Sequence, residues 1–305
     1  MKPFKYYATK ATQLCSRTYR HLLYRLHGKL HDTVTIRTMH GLLTVSTRDD
    51  GIGLPLFRER QYEYDSSIRA LKFLKSSGFI PTTNVSMLDI GANIGLISIG
   101  LILSGEIDRA LAIEPEPHNF GLLTKNIVQN NLTEQMLCIQ MAVGDKESIL
   151  NLELSTQNPG DHRIRVAPTS DASEHLGESG RQTIQVKSLP LLQIMERSDV
   201  KNFGASLPSF MWIDVQGYEG YVFRGGRSLL EKGLPTVSEI WPYGILRAGM
   251  SLEDFVTTVS TIWTDYWIDR GGRFTRYPIT VFDRYLEELG TAGYFENVIF
   301  TKRLT

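Results

Sequence analysis

The segment Met87-Leu88-Asp89-Ile90-Gly91-Ala92-Asn93-Ile94-Gly95-Leu96 reads as a strand that runs through a glycine-bearing turn into a helix. Gly91 permits a tight bend and a close approach of backbone to a ligand. Gly95 lets the helix pack near the sheet, and the helix N-terminus offers unpaired N–H groups. A nicotinamide fingerprint would place glycines at 91, 93 and 96, whereas this chain has Asn93 and Leu96. Asp89, the acid before the turn, suits an ammonium group and opposes a pyrophosphate. S-adenosylmethionine carries that ammonium. A second strand ends in Ile113-Glu114-Pro115-Glu116-Pro117, which places Glu114 where an acid accepts hydrogen bonds from ribose hydroxyls in a nucleoside site. Asp145, closing Ala142-Val143-Gly144-Asp145, is either an acceptor for an adenine amino group or a plain turn aspartate.

Two further carboxylates fall on the acceptor side. Phe210–Val215 reads as a strand carrying Asp214 at its end, and Thr236–Ile240 as one carrying Glu239, so both sit at the carboxyl edge of a parallel sheet, where ligands bind. Glu219 fits the site or, equally, an early helical turn in which an acid complements the helix dipole. Trp241 fits a stacking surface for a sugar or ring, or a cap on the core. Mg²⁺ on Asp214 and Glu239 is the weaker alternative, and no metal ligand is assigned. No Cys/His spacing suggests zinc, and no phosphate-cradling Gly-x-x-x-x-Gly-Lys-[Ser/Thr] run occurs.

These groups need a sheet to position them. From Val85 short apolar runs alternate with helical segments about twelve residues long, the pattern of βαβ units and a mostly parallel sheet. The predicted strands are Val85–Asp89, Arg109–Glu114, Met136–Val143, Phe210–Val215 and Thr236–Ile240, with helices near Gly95–Leu103, Asn119–Asn130 and Tyr218–Leu230. Residues 146–190 break the rhythm: Ser148–Leu154 and His162–Val166 read as an inserted β-hairpin, followed by a polar stretch, Ala167–Thr183. Ser251-Leu252-Glu253-Asp254 has the form of a capping box opening a helix, and Tyr266–Asp269 and Asn297–Lys302 would finish the sheet. Residues 1–83 form an N-terminal module of basic helix, hairpin (Thr33–Ile36, Leu42–Ser46) and helix (Tyr62–Ser76), and residues 84–305 the cofactor domain.

The ordered motifs Asp89-Ile90-Gly91-Ala92-Asn93-Ile94-Gly95, Glu114-Pro115-Glu116-Pro117-His118-Asn119-Phe120, Ala142-Val143-Gly144-Asp145, Trp212-Ile213-Asp214-Val215-Gln216-Gly217-Tyr218-Glu219 and Ser238-Glu239-Ile240-Trp241-Pro242 resemble those of FkbM-type methyltransferases. The resemblance spans residues 49–302, including Asp49-Asp50-Gly51-Ile52 and the Tyr62-Glu63 pair. It implies an α/β Rossmann-like class I fold, with helices on both faces of a twisted, mostly parallel sheet. It also implies S-adenosyl-L-methionine as cofactor and O-methylation of a hydroxyl on a small molecule or glycan.

Methylating an alcohol requires loss of a proton, and a positioned base adds roughly 10²–10⁴-fold. Of seven histidines, His162 in Gly160-Asp161-His162-Arg163 is the one on an element free to cover the ligand edge. It is the expected base, with Asp161 or Asp214 orienting it; a histidine paired with Asp161 in a hairpin is the structural alternative. Asp214 and Glu239 complete the expected catalytic set, and Asp89, Gly91, Asn93, Gly95, Glu114 and Asp145 the cofactor set. A nicotinamide-dependent oxidoreductase and a noncatalytic binding module are the rival readings of the same sheet.

The 305 residues suffice for a large core, and 42% hydrophobic with 22% charged residues fits a globular chain rather than a disordered one. With 33 Lys and Arg against 33 Asp and Glu the chain lacks the basic excess expected of a nucleic-acid binder. Two cysteines, no apolar spanning run and no secretory pattern point to the cytoplasm. The charge is uneven: residues 1–31 carry seven basic residues and no acid. Leu14, Arg17, Leu22, Tyr24 and Leu26 fit a helix that either lies on an anionic surface or covers the body.

Overall fold

The structure, a computed structural model, describes residues 17–156, 158–165, 178–204 and 207–302. Helix α1 (17–28) leads into a hairpin of β1 (Thr33–Thr38) and β2 (Gly41–Ser46), then α2 (Gly53–Glu59) and α3 (Tyr64–Ser76). β3 (Ser86–Ile90), α4 (Leu96–Leu103), β4 (Arg109–Ile113), α5 (Pro117–Gln129) and β5 (Met136–Ile139) follow as successive βαβ units. A separate four-stranded sheet is built from β6 (Ala142–Gly144), β7 (Ser148–Leu154), β8 (Arg163–Ile164) and β9 (Gln182–Pro190). Helices α6 (Leu191–Met195) and α7 (Ser198–Phe203) return the chain to β10 (Phe210–Ile213). After it come α8 (Glu219–Gly225), α9 (Arg227–Leu230), β11 (Thr236–Ile240), α10 (Pro242–Arg247), α11 (Leu252–Ile262), β12 (Asp265–Asp269), β13 (Phe274–Pro278), α12 (Phe282–Leu289) and β14 (Glu296–Thr301).

The main sheet has the order β13-β12-β14-β11-β10-β3-β4-β5. Its β11-β10-β3-β4-β5 portion is parallel, and β14, β12 and β13 add antiparallel ladders. Every residue of β3, β10 and β11 is buried, as expected for strands covered on both faces. Strand order reverses between β3 and β10, so the crevice at their carboxyl ends, where Asp89 and Asp214 stand, is the topological switch point. The expected Rossmann-like class I architecture is therefore present. Ser251 Oγ accepts the Asp254 N–H at 3.0 Å, so the predicted cap does open α11.

The N-terminal module shares a core with one face of the sheet, because Tyr24, Ile36 and Leu43 belong to one cluster with Ile99 and Leu123. The edge of β2 that does not pair with β1 is buried and meets side-chain amides rather than another strand: Asn126 Oδ1 accepts from the Thr44 N–H at 2.7 Å while its Nδ2 donates to the Thr44 and Ile94 carbonyls. Among the described residues no helix is long and apolar enough to cross a membrane.

Three expectations are corrected. The run Met136–Val143 is two strands in different sheets, since the chain leaves the main ladder at Gln140-Met141 and β6 pairs with β9. Tyr218–Leu230 breaks at Gly225-Gly226 into α8 and α9, where a Cβ on Gly225 would lie 1.9 Å from the Gly144 carbonyl oxygen. The insertion is a sheet rather than a lone hairpin, because β9 pairs with β7 along its length. Residues 166–177 of the insertion, including His175 and Val166, and residues 1–16 with Leu14 and Cys15 lie outside the described residues.

Candidate active site

The β3 turn is pressed against the end of β10. Gly91 has φ 82°, and a Cβ there would fall 1.9 Å from the Asp214 carbonyl oxygen, so only glycine fits. The N–H groups of Gly91 and Ala92 donate to the Ile113 carbonyl at 2.9 and 3.1 Å. Asn93 has φ 52°, and its N–H donates to Glu114 Oε2 at 2.9 Å; the Glu116 N–H donates to Glu114 Oε1 at 2.9 Å. Glu114 thus ties the glycine turn to the second strand end, a structural duty beyond the expected ribose contact. Gly95, with φ 84°, starts α4.

These elements line a cavity of about 330 Å³. Glu63, Asp89, Glu114, Asp161, Asp214 and Glu239 all face it, with Arg163 as a cationic neighbour. Burial pushes Asp89 up to about 7 and Glu114 up to about 8. Asp89 Oδ2 is buried without a hydrogen-bond partner among the described residues. An acidic cavity of this kind opposes a pyrophosphate and favours a ligand bearing positive charge.

Asp214 and Glu239 come together because Ile213 and Ser238 are paired in the parallel ladder of β10 and β11. Gln216 donates from Nε2 to Asp214 Oδ1 at 2.6 Å and to Glu239 Oε1 at 2.9 Å. Its φ of 55° is maintained by the packing around it: buried Glu219 accepts the Val215 and Gly217 N–H groups through Oε1, and a Cβ on Gly217 would strike the Gly244 backbone at 2.1 Å. Burial raises Asp214 to about 6 and Glu219 to about 7, and burial with the charges of Asp214, Glu219 and Glu63 raises Glu239 well above the ordinary carboxylate range.

His162 lines the cavity, yet its Nδ1 accepts the Ser155 N–H at 3.0 Å. In the neutral ring the hydrogen therefore sits on Nε2, leaving no lone pair there to take a proton. Burial also lowers its pKa. Asp161 does not orient it through a hydrogen bond; it pairs instead with Arg163 and Arg181. In this geometry the His162 ring presents an N–H to the cavity. Asp145 is exposed and outside the cavity lining, because β6 carries it away from the main sheet.

Residues missed as site residues are Glu63, Gln216 and Asn297, all in the cavity wall. Glu63 has φ 55°, and burial followed by the Asp214 charge raises it to about 7. Trp241 lines the cavity with the Arg163 guanidinium 4.7 Å from its ring centroid. Among the described residues no group of three or more His, Cys, Asp or Glu is placed to hold a metal ion.

The family model for the methyltransferase FkbM domain matches residues 89–272, a span that includes Asp89, Asp214 and Glu239. The chain belongs to this family. A comparison with curated proteins finds no match. Among solved structures, the M. jannaschii tRNA m1G37 methyltransferase is 11% identical, with 90% of this chain and 58% of that one covered at a TM-score of 0.42. The C-terminal domain of precorrin-6Y C5,15-methyltransferase from Rhodobacter capsulatus is 14% identical, covering 78% and 89% at 0.35. TrmK of M. capricolum, solved with S-adenosylhomocysteine, is 10% identical, covering 80% and 69% at 0.37. These are distant likenesses of shape.

Family membership makes this FkbM methyltransferase an S-adenosylmethionine-dependent protein. Its residues fit that cofactor: the Gly91 cradle admits no side chain, and the unpartnered Asp89 oxygen together with the acid excess suits a sulfonium and an ammonium.

Proposed function

We propose that this FkbM methyltransferase is an O-methyltransferase acting on a small-molecule or glycan-type hydroxyl, with Glu239 as the base. The observation that carries the reading is the Gln216 amide shared by Asp214 and Glu239. S-adenosylmethionine, when bound, supplies an electrophilic methyl group on sulfur. The turn from Gly91 to Gly95, with Asp89 and Glu114, holds the cofactor at the carboxyl ends of β3 and β4.

Two acids crowded into one buried site do not ionise alike. Asp214, the less perturbed, stays charged at neutral pH and orients the acceptor hydroxyl. Glu239, the more perturbed, holds its own proton more tightly; in its ionised form it is the stronger base and takes the hydroxyl proton as the oxygen attacks. Holding oxygen and methyl in attack geometry contributes about 7–11 kcal/mol in favourable cases. His162, with hydrogen on Nε2, serves as a donor toward acceptor oxygen. The acid-lined cavity disfavours polyanions such as nucleic acid.

The test is transfer of isotopically labelled methyl to a panel of alcohols, saccharides, amines and thiols, with the product bond assigned by mass spectrometry. Label on oxygen of a polyol or saccharide is the expected result. Label confined to nitrogen, sulfur or nucleic acid would overturn the proposal.

A further inference from the structure

Helix α1 is amphipathic in the inverted sense. Its inner face carries the polar groups: Arg17 pairs with Glu59 at 2.8 Å, Arg20 donates to the Arg58 carbonyl at 2.7 Å, and the fully buried Tyr24 hydroxyl lies 2.6 and 2.8 Å from the Ser46 and Asp49 carbonyl oxygens. Arg25, on its flank, pairs with Asp50 at 2.7 Å. The opposite face is apolar and points outward, with Tyr19 63%, Leu22 60%, Leu26 49% and Leu30 79% exposed and Leu23 beside them. Tyr19, Leu22, Leu23 and Leu26, spaced three, one and three residues apart, lie along one stripe at helical periodicity, and Leu30 follows in the turn just past α1. Helices that only cover a body bury such a stripe; this one turns it to the outside while ion pairs hold its back.

We infer that α1 is a docking helix for an anionic lipid bilayer surface, lying flat with the stripe from Tyr19 to Leu30 in the interfacial layer. Charge selects this occupant. Residues 1–31 hold seven Lys and Arg and no acid; Arg17 and Arg25 are paired with Glu59 and Asp50 on the body side, so the basic excess rests on Lys2, Lys5, Lys10, Arg20 and Lys29. Area excludes a stable protein partner resting on this helix alone: twelve helical residues present a strip roughly 18 Å long and about 10 Å wide. A specific protein interface needs around 800 Å² from each side. A bilayer sets no such threshold, because apolar insertion and attraction of basic residues to anionic headgroups add. Tyr19 suits the boundary, having an apolar ring and a polar tip.

The test uses the full chain and sedimentable vesicles of phosphatidylcholine, with and without phosphatidylserine. The chain should pellet with the anionic vesicles and much less with the neutral ones, and added salt should weaken the binding. Leu22→Ser together with Leu26→Ser, both on the exposed face, should weaken partitioning at least about tenfold. Melting temperature and S-adenosylhomocysteine affinity should stay as in the parent. Failure of the parent chain to bind anionic vesicles would overturn the proposal, as would equal binding by the double variant. A third overturning result is a lipid-free dimer in sedimentation velocity that the double variant abolishes while vesicles leave the parent in solution, since the stripe would then serve a second copy of the chain.

Discussion

Asp214 and Glu239, at the ends of adjacent parallel strands, accept hydrogen bonds from a single nitrogen, Gln216 Nε2, at 2.6 and 2.9 Å. Those bonds stabilise the charged carboxylates and pull both pKa values down against burial. Gln216→Leu removes them, so both acids should become harder to ionise. The acid limb of the kcat profile should move to higher pH, and turnover at neutral pH should fall by about 10-fold or more. An unchanged profile in a folded variant would mean that Gln216 does not set the ionisation of the pair.

Glu114 uses both carboxylate oxygens to bind backbone N–H groups of Asn93 and Glu116 while lining the cavity. Glu114→Ala should therefore act twice. S-adenosylhomocysteine affinity measured by calorimetry should drop by about 1 kcal/mol or more, the size of a lost hydrogen bond to a buried acceptor. The melting temperature should drop as well, because two N–H groups lose their acceptor. Unchanged affinity would remove the residue from the cofactor site.

The buried acids make stability depend on pH in a definite direction. Asp89 and Glu114 are held up to about 7 and about 8 in the folded chain, above the roughly 4 of an unfolded carboxyl. The folded state binds more protons across that window, so their contribution is most favourable below about pH 4 and is lost as pH rises toward 8. The ligand-free melting temperature of Asp89→Asn should consequently decline less than that of the parent between about pH 5 and 8. Thermal-shift curves at matched ionic strength check this, and equal declines would contradict the assignment. The cationic cofactor should also gain affinity over its neutral product as pH rises.

What could be read from residue order was the chemistry placed at strand ends. Asp89, Gly91, Glu114, Asp214 and Glu239 each follow an apolar run of strand length, so the topology that gathers them is implied by local pattern. Positions fixed by tertiary contact were not legible. Glu63 and Gln216 adopt left-handed backbone with long side chains, which no propensity favours. Asp145 ends an apolar run like the others, but its run joins the second sheet. Periodicity also finds a helix around Tyr24 without telling which face turns inward; the ion pairs of Arg17 and Arg25 decide that.

Glu63 lies outside the family-matched segment, within reach of the Asp214 charge, in a strained conformation that the fold maintains. A carboxylate there suits hydroxyl or amino groups on the acceptor. Glu63→Gln keeps the shape and removes the charge, so acceptor KM should rise several-fold while S-adenosylhomocysteine binding stays the same. Equal KM values would place Glu63 outside acceptor recognition.

The base can be assigned by comparing two variants. His162 has its lone pair engaged by the Ser155 N–H, whereas Glu239 is a carboxylate raised by burial and by the charges of Asp214, Glu219 and Glu63. A general base is seen as a rate that rises with pH through its own ionisation and stops doing so when the group is replaced. Glu239→Gln should lower methyl transfer by about 10²-fold or more, with cofactor affinity kept, and flatten the acid limb. His162→Ala should slow turnover more modestly and retain that limb, since the side chain donates rather than accepts. Were the limb to vanish in His162→Ala and persist in Glu239→Gln, the ring would have exchanged its hydrogen-bonded state in the reacting complex, and the base would be His162.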